Sequence, residues 1–414
     1  MIGSKHVSLC LRSFNTHTLK SILPLLVSLI GADPGLSFAA DEVPWKPVIC
    51  DSAKPYHGPK LHSPPEAGVF AKAAAPFGKE IDAGTVARLE EAFTKAMDAT
   101  KAPSMTVAVG VPGRGVWSAT KNGGSGDEAV PRWFWFASVG KAYTAAVVLQ
   151  LVEEGKLALD DKLVRWFPDY PNAKAISLDH LLCHTSGIYS FQADPDLRAK
   201  RGYHPPKEVI AVTRAHGNGF CPGEYWSYSN TGYVMLGQIV EQIEGKPFHE
   251  VVTARVIRRL GLKNTKALSP QEQPAGVAKP HPSNSPNEPV EDSVPSTPYA
   301  AGNVVATAAD MVEFWHALLG GNILKAETVR EQFQHLYPMF DQGTFYGRGV
   351  MLYDVPAKDG RHMTWLGHSG GAPGFKAIVA YSAEANAYVA VALNNDASAE
   401  ATANLLLKAL STER

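Results

Sequence analysis

The sequence predicts a mixed fold of the α/β class, in its α+β form. A central antiparallel sheet is built from both ends of the chain, with flanking helices and an inserted, mostly helical subdomain. Three observations carry this. Strand-like runs sit early, at SMTVAVGV (104–111) and VWSATK (116–121), and again late, at GVMLYDV (349–355), FKAIVAYS (375–382) and AYVAVALNN (387–395). Residues 159–267 between them carry helical spacing broken by loops. The segment SVGKAYTAAVVLQLVEEGKL (138–157) is apolar nearly all round as far as Val152, as befits a helix at the centre of a domain.

The elements follow in order. Lys5, Arg12 and Lys20 accompany the apolar segment SILPLLVSLIG, which Asp33-Pro34-Gly35 breaks. Small residues at Ser37 and Ala39 suit cleavage near Ala39 or Ala40. Residues 1–40 therefore read as a signal peptide, and the expected location is secreted or periplasmic. Residues 41–80 are Pro-rich without a period and read as an N-terminal arm. Residues 81–414 form the globular domain. Its first helix starts near Ile81, and a hairpin turns at Pro112-Gly113-Arg114-Gly115. Gly155 stops the buried helix. Residues 269–298, crowded with Pro, Ser and Asn, read as a long surface loop, and TAADMVEFWHALLG (307–320) as a helix. A tight turn at Ala383–Asn386 joins the last two strands, and SAEATANLLLKALS (398–411) closes the chain as a helix. No internal repeat is present.

The 414 residues are 45% hydrophobic and 19% charged, an ordinary globular composition. A formal net charge of -1 leaves no electrostatic footprint for nucleic acid. No apolar run after the N-terminus reaches membrane-spanning length, so no stable span is expected in the mature chain. His180 and His184 have an i,i+4 spacing that can bind metal, yet no other set completes a site. No metal and no cofactor are expected.

GHSGG (367–371) fits G-x-S-x-G, a nucleophile elbow. Chain order rules it out. That triad needs a histidine after the serine, and the last histidine is His368. An elbow also leads into a helix, whereas Ala372-Pro373-Gly374 leads into a strand.

Ser138-Val139-Gly140-Lys141 is S-x-x-K at the start of the buried helix. The i,i+3 spacing sets hydroxyl and ammonium on one face, and a helix N-terminus favours developing negative charge. Burial either lowers the Lys141 pKa or leaves it as a fixed positive neighbour of a nucleophilic Ser138. A second copy, Ser118 to Lys121, ends a strand and reads as a hairpin edge. Tyr228-Ser229-Asn230 is Y-x-N. A phenol beside a lysine serves as general base when that charge depresses its pKa, and the Asn230 amide can bind a substrate carbonyl. Tyr170-Pro171-Asn172 repeats the pattern in a Pro-marked turn. His368-Ser369-Gly370, with Gly371, then reads as the edge of the C-terminal sheet, where glycines admit a substrate backbone. The N–H groups of Gly371 and Ser138 would form an oxyanion hole. His368 would add a polar or positive contact to the tyrosine or to a substrate carboxylate. Trp133–Phe136 reads as core in preference to cleft wall.

With these motifs in this order, 138 to 228 to 368, the chain resembles the serine β-lactamase and penicillin-binding protein superfamily. The branch is that of class C β-lactamases, D,D-peptidases, D-aminopeptidases and related esterases. FASVGKAYTAAVVLQLVEEGKLALDDKL, LDHLLCHTSGI, PGEYWSYSNTGYVMLGQIVE, AAGNVVATAADMVEFW and GHSGGAPGF carry the resemblance, over roughly residues 80–410. It implies a β-lactamase/transpeptidase-like fold for 81–414. It implies Ser138 as acylated nucleophile, Lys141 as its activating partner and Tyr228 as general base. Asn230 becomes the substrate-carbonyl ligand, and His368, Ser369, Gly370 and Gly371 the substrate-facing strand. The chain departs from the β-lactamases in carrying His368 where they carry lysine.

The expected function is an exported serine hydrolase acting through an acyl-enzyme on D-amino-acid peptides or amides. Class C-like β-lactamase and esterase activity are the alternatives, and a non-catalytic peptidoglycan or β-lactam binder is the rival of another class. The expected partners are a small-molecule or peptide substrate, peptidoglycan included. Of Cys10, Cys50, Cys183 and Cys221, the first leaves with the signal. Of the three that remain at least one stays unpaired within a monomer; an oxidising compartment would permit a Cys183–Cys221 disulfide, since both flank motifs of one cleft, but the sequence leaves the pairing open.

Overall fold

The computed structural model describes residues 45–123, 130–200, 202–283, 298–340, 343–356 and 362–411. The expected signal peptide and residues 284–297 of the expected surface loop lie outside them. The strands are β1 (Ser104–Val111), β2 (Gly115–Asn122), β3 (Phe134–Trp135), β4 (Thr265–Ala267), β5 (Val304–Ala306), β6 (Tyr337–Pro338), β7 (Thr344–Tyr346), β8 (Met351–Pro356), β9 (His362–Ala372), β10 (Phe375–Ser382) and β11 (Ala387–Leu393). The helices are α1 (Ala67–Ala73), α2 (Ala83–Thr100), α3 (Gly140–Glu153), α4 (Leu178–Leu182), α5 (Pro195–Ala199), α6 (Pro206–His216), α7 (Asn230–Glu244), α8 (Phe248–Val252), α9 (Ala308–Leu319), α10 (Ala326–Gln332) and α11 (Ala399–Lys408).

Among the described residues, one sheet runs in the order β2-β1-β11-β10-β9-β8-β7-β6. The two ends of the chain meet where β1 pairs antiparallel with β11, from Met105↔Leu393 to Gly110↔Tyr388. β1 and β11 are buried at every position, so both sheet faces are covered. α9 packs on β1, β10 and β11, while α11 packs on β10 and β11 with α2 behind it. The Asp82 carboxylate caps α2 by accepting from Thr85 N–H at 2.9 Å. α4 to α8 lie between the two parts of the sheet in sequence, and a second, small sheet β3-β5-β4 adjoins them. α3 is buried continuously from Gly140 to Leu151, as its unbroken apolar sequence predicts.

The disulfide is not the one between Cys183 and Cys221. Cys221 bonds to Cys50, and Cys183 is a buried free thiol. The cause lies in the N-terminal arm, whose path no periodicity announces. It runs along the loop that leads to Tyr228, with Val48 N–H donating to Asn218 O and Lys54 N–H to Pro222 O, both at 2.8 Å. Asn172 anchors it by accepting from Cys50 N–H at 2.7 Å and donating to Val48 O at 2.9 Å. Cys183 instead caps α4, where its thiol donates to Asp179 Oδ1 at 3.6 Å.

Candidate active site

Ser138 sits half-buried in the tight turn Ala137–Val139 that leads into α3. Ala137 takes a left-handed φ of 46°, unusual for a residue with a Cβ, and so aims the serine at the cleft. One turn on, Lys141 is fully buried, with Nζ 3.1 Å from Ser138 Oγ and 2.8 Å from Ala301 O. That carbonyl is brought close because two glycines meet. A Cβ on Gly140 would lie 2.9 Å from Gly302 Cα. Burial drives the Lys141 pKa well below 10.5, and no carboxylate opposes it. Nζ donates to both oxygens, and the downward shift agrees with the first of the two readings the sequence left open for Lys141.

Tyr228 lies against both residues. Its ring centre is 4.9 Å from Lys141 Nζ. Burial raises the phenol pKa above 10.0, with the hydrogen bond to Ser138 pulling the other way. The sequence expectation of a depressed phenol pKa is therefore corrected. Desolvation of the buried ring dominates. Tyr228 is a neutral O–H beside Ser138.

His184 holds this ring. It has a φ of 60°, is 1% exposed and packs with tilted ring planes, its centre 4.2 Å from that of Tyr228 and 4.5 Å from that of Tyr346. Its Nδ1 accepts from Ser229 N–H at 3.2 Å, which leaves Nε2 protonated and without a partner. Burial, then Lys141 and His368, lower its pKa well below 6.5. The sequence offered His184 only as half of a metal pair. Its mate His180 instead closes a capping box with Ser177.

β9 forms the opposite wall. Its pairing with β8 ends at Met351↔Gly367, while its pairing with β10 continues to Phe375↔Ala372. Residues 368–372 thus offer a bare edge. By the alternation of an antiparallel ladder from the Pro373-Gly374 turn, the N–H groups of Ser369 and Gly371 face that edge. Gly370 passes directly over the nucleophile's turn, since a Cβ there would strike Phe136 O and lie 2.9 Å from Ser138 N. Ser369 Oγ donates only weakly, to Met351 Sδ at 3.6 Å.

His368 takes the polar and not the positive of its two expected roles. It is fully buried, and burial takes its pKa down to about 3, aided by Lys141. Its Nδ1 lies 2.6 Å from Ser369 O, and its Nε2 lies 3.1 Å from the hydroxyl of Tyr346, which itself donates to the Tyr233 hydroxyl at 3.3 Å. It offers no positive charge to a carboxylate. Asn230 opens α7 and is 4% exposed. Its Nδ2 donates to Gln192 Oε1 and its N–H to Ser190 Oγ at 3.2 Å. Gln192, Tyr346 and Ala301 have no motif of their own and are absent from the sequence reading. Phe134, Trp135 and Phe136 are buried core, with Trp135 Nε1 donating to Gly302 O at 2.6 Å. Among the described residues no group of three or more His, Cys, Asp or Glu gathers to hold a metal, and no helix is long and apolar enough to cross a membrane.

Known proteins share this framework. The solved D-amino acid amidase from Ochrobactrum anthropi SV3 in complex with L-phenylalanine amide superposes with a TM-score of 0.67 at 26% identity, over 78% of this chain and 98% of that one. A D-stereospecific amidohydrolase from Streptomyces sp. gives a TM-score of 0.66 at 28% identity, over 79% and 98%. Penicillin-binding protein 4 of Amycolatopsis lactamdurans is 30% identical over 261 residues, 58% of this chain and 66% of that protein. The chain spans 57% to 66% of the length of the three penicillin-binding proteins it matches in sequence. The sequence model of the Beta-lactamase family matches residues 89–412. With that match over most of its length, the chain belongs to the Beta-lactamase family, a family of serine hydrolases.

Proposed function

We propose that this chain is an exported serine hydrolase that forms an acyl-enzyme on Ser138 and cleaves D-amino-acid amides or peptides. The observation that carries the reading is Lys141, buried without a carboxylate partner and 3.1 Å from Ser138 Oγ. The Lys141 amine takes the serine proton as Oγ attacks the substrate carbonyl. The N–H groups of Ser138 and Gly371 hold the oxyanion. Tyr228 O–H protonates the leaving nitrogen and is reprotonated from Lys141. Water then attacks the acyl ester and gives its proton to Lys141, which returns it to Ser138 Oγ as the C–O bond breaks and the product acid departs. Asn230 and the bare edge at Ser369, Gly370 and Gly371 hold the substrate. His368 braces that edge through Ser369 O.

The D-amino-acid preference is supported by the names of the two solved relatives, an amidase and an amidohydrolase for D-substrates. Stem peptides of peptidoglycan belong to the same chemical class. Export is supported by the N-terminal segment and by the Cys50–Cys221 disulfide, which suits an oxidising compartment. β-Lactam turnover is the weaker activity, because the neutral His368 supplies no fixed charge for the β-lactam carboxylate.

The test is a turnover panel of D-alanyl-D-alanine peptide, D-aminoacyl amide, its L-enantiomer, p-nitrophenyl ester and nitrocefin. The highest kcat/KM should fall on a D-aminoacyl compound, with the L-enantiomer at least tenfold lower. A preference for nitrocefin, or acylation without turnover on every compound, would overturn the reading.

A further inference from the structure

Phe340 is 78% exposed, the behaviour of a surface charge and not of a phenylalanine. A scattered exposed ring needs no explanation, but this one is not scattered. The β6–β7 hairpin, closed at Pro338↔Phe345, carries it over the loop that holds the tyrosine. Its ring centre lies 5.5 Å from that of Trp226 and 6.3 Å from that of Tyr228. Trp226 in turn lies 6.3 Å from Tyr228, which is hydrogen-bonded to Ser138. An apolar surface therefore runs from solvent, over Phe340 and Trp226, to the residue that touches the nucleophile.

We propose that Trp226 and Phe340 form an aromatic subsite for the leaving half of the substrate, and that this half carries an aryl or arylalkyl group. The inference rests on the proposed acyl-enzyme reading. Tyr228 O–H is the proton donor to the leaving atom, so rings packed against Tyr228 meet whatever that atom carries. The acyl half is held elsewhere, between Asn230 and the β9 edge. Aromatic rings prefer tilted or edge contact at centroid distances of about 4.5–7 Å, and a substrate ring on Phe340 would meet Trp226 in the same way. Neither ring bears a charge, so the subsite selects by apolar area and shape, and a free carboxylate at that end of the substrate gains nothing from it.

The experiment uses benzyl and methyl esters of one acyl group, since their alcohols leave with nearly equal ease and differ in the ring alone. Two acyl groups are run, D-alanyl and acetyl. The wild-type ratio of kcat/KM, benzyl over methyl, should be about 10 or more with each acyl group, and Phe340→Ala should cut it about 5- to 30-fold. Phe340→Trp should retain it. Phe340 is exposed, so these variants fold. A wild-type ratio near one, or a ratio that Phe340→Ala leaves in place, would overturn the subsite. Failure of the D-alanyl preference alone, with the benzyl ratio intact on acetyl esters, would overturn the D-amino-acid reading and leave the subsite standing.

Discussion

Lys141 Nζ donates to Ala301 O at 2.8 Å while lying 3.1 Å from Ser138 Oγ, and the first contact orients the second. Nζ donates to both oxygens. In the proposed mechanism activity requires the unprotonated lysine, whose lone pair then meets the serine hydroxyl. Lys141 protonates as pH falls, so acylation should lose rate on the acid side, with a midpoint well below 10.5. Lys141→Arg fixes a positive charge that cannot give up its proton, and should cost about 10²–10⁴-fold. Stopped-flow labelling of Ser138 by a fluorophosphonate across pH reads both. A wild-type rate with no acid limb would remove Lys141 as base.

Tyr228 enters as a neutral proton donor. Tyr228→Phe should lower acylation by about 10²–10⁴-fold on amides, which need a protonated leaving group. The loss should be smaller on p-nitrophenyl esters, whose leaving group departs as an anion. Equal losses on both would mean that the phenol acts on the nucleophile and not on the leaving atom.

Gly370 is the position where β9 crosses the nucleophile's turn. Gly370→Ala places a Cβ against Phe136 O and 2.9 Å from Ser138 N, both backbone atoms that cannot swing away. Separation of β9 from the turn should lower stability by about 1–3 kcal/mol and reduce kcat more than it raises KM. Gly371→Ala is the control for stability alone, since its nearest neighbour is the flexible end of Lys376 at 3.4 Å. Thermal unfolding should separate the pair, with Gly371→Ala within about 0.5 kcal/mol of wild type.

Cys50 and Cys221 close a loop across 171 residues of sequence. Reduction, or Cys221→Ser, should cost about 2–5 kcal/mol of stability. Peptide mapping without reductant should recover the Cys50–Cys221 linkage, with Cys183 alkylated only after unfolding. A linkage involving Cys183 would contradict the structure.

His368 makes stability depend on acid. Its ordinary value of 6.5 falls to about 3 in the folded chain. The unfolded chain therefore binds the proton first as pH drops. The contribution is complete above pH 6.5 and is lost between 6.5 and about 3, at about 1.4 kcal/mol per pH unit. His184, also lowered, acts with the same sign. In urea titrations from pH 7 to 4, His368→Asn should flatten the slope by about one proton. Parallel slopes for wild type and variant would show that His368 is not buried neutral.

The sequence by itself determined what depends on neighbours along the chain. On a helix the S-x-x-K spacing puts Ser138 and Lys141 one turn apart, and the nearly all-round apolar run of α3 announces both the helix and its burial. Short apolar runs bounded by turn residues announce the strands β1, β10 and β11. Even the rejection of Ser369 as an elbow nucleophile needed only the chain order of the histidines. Tertiary structure decided what depends on surfaces brought together from far apart. The arm's path chose Cys50 over Cys183. The meeting of Gly140 with Gly302 aimed Ala301 O at Lys141. His184 and Tyr346 enclosed Tyr228 and His368, and so reversed the expected phenol shift and left His368 the polar of its two expected roles. A pKa is set by how much water a group loses and which charges face it, and neither quantity is written in local spacing.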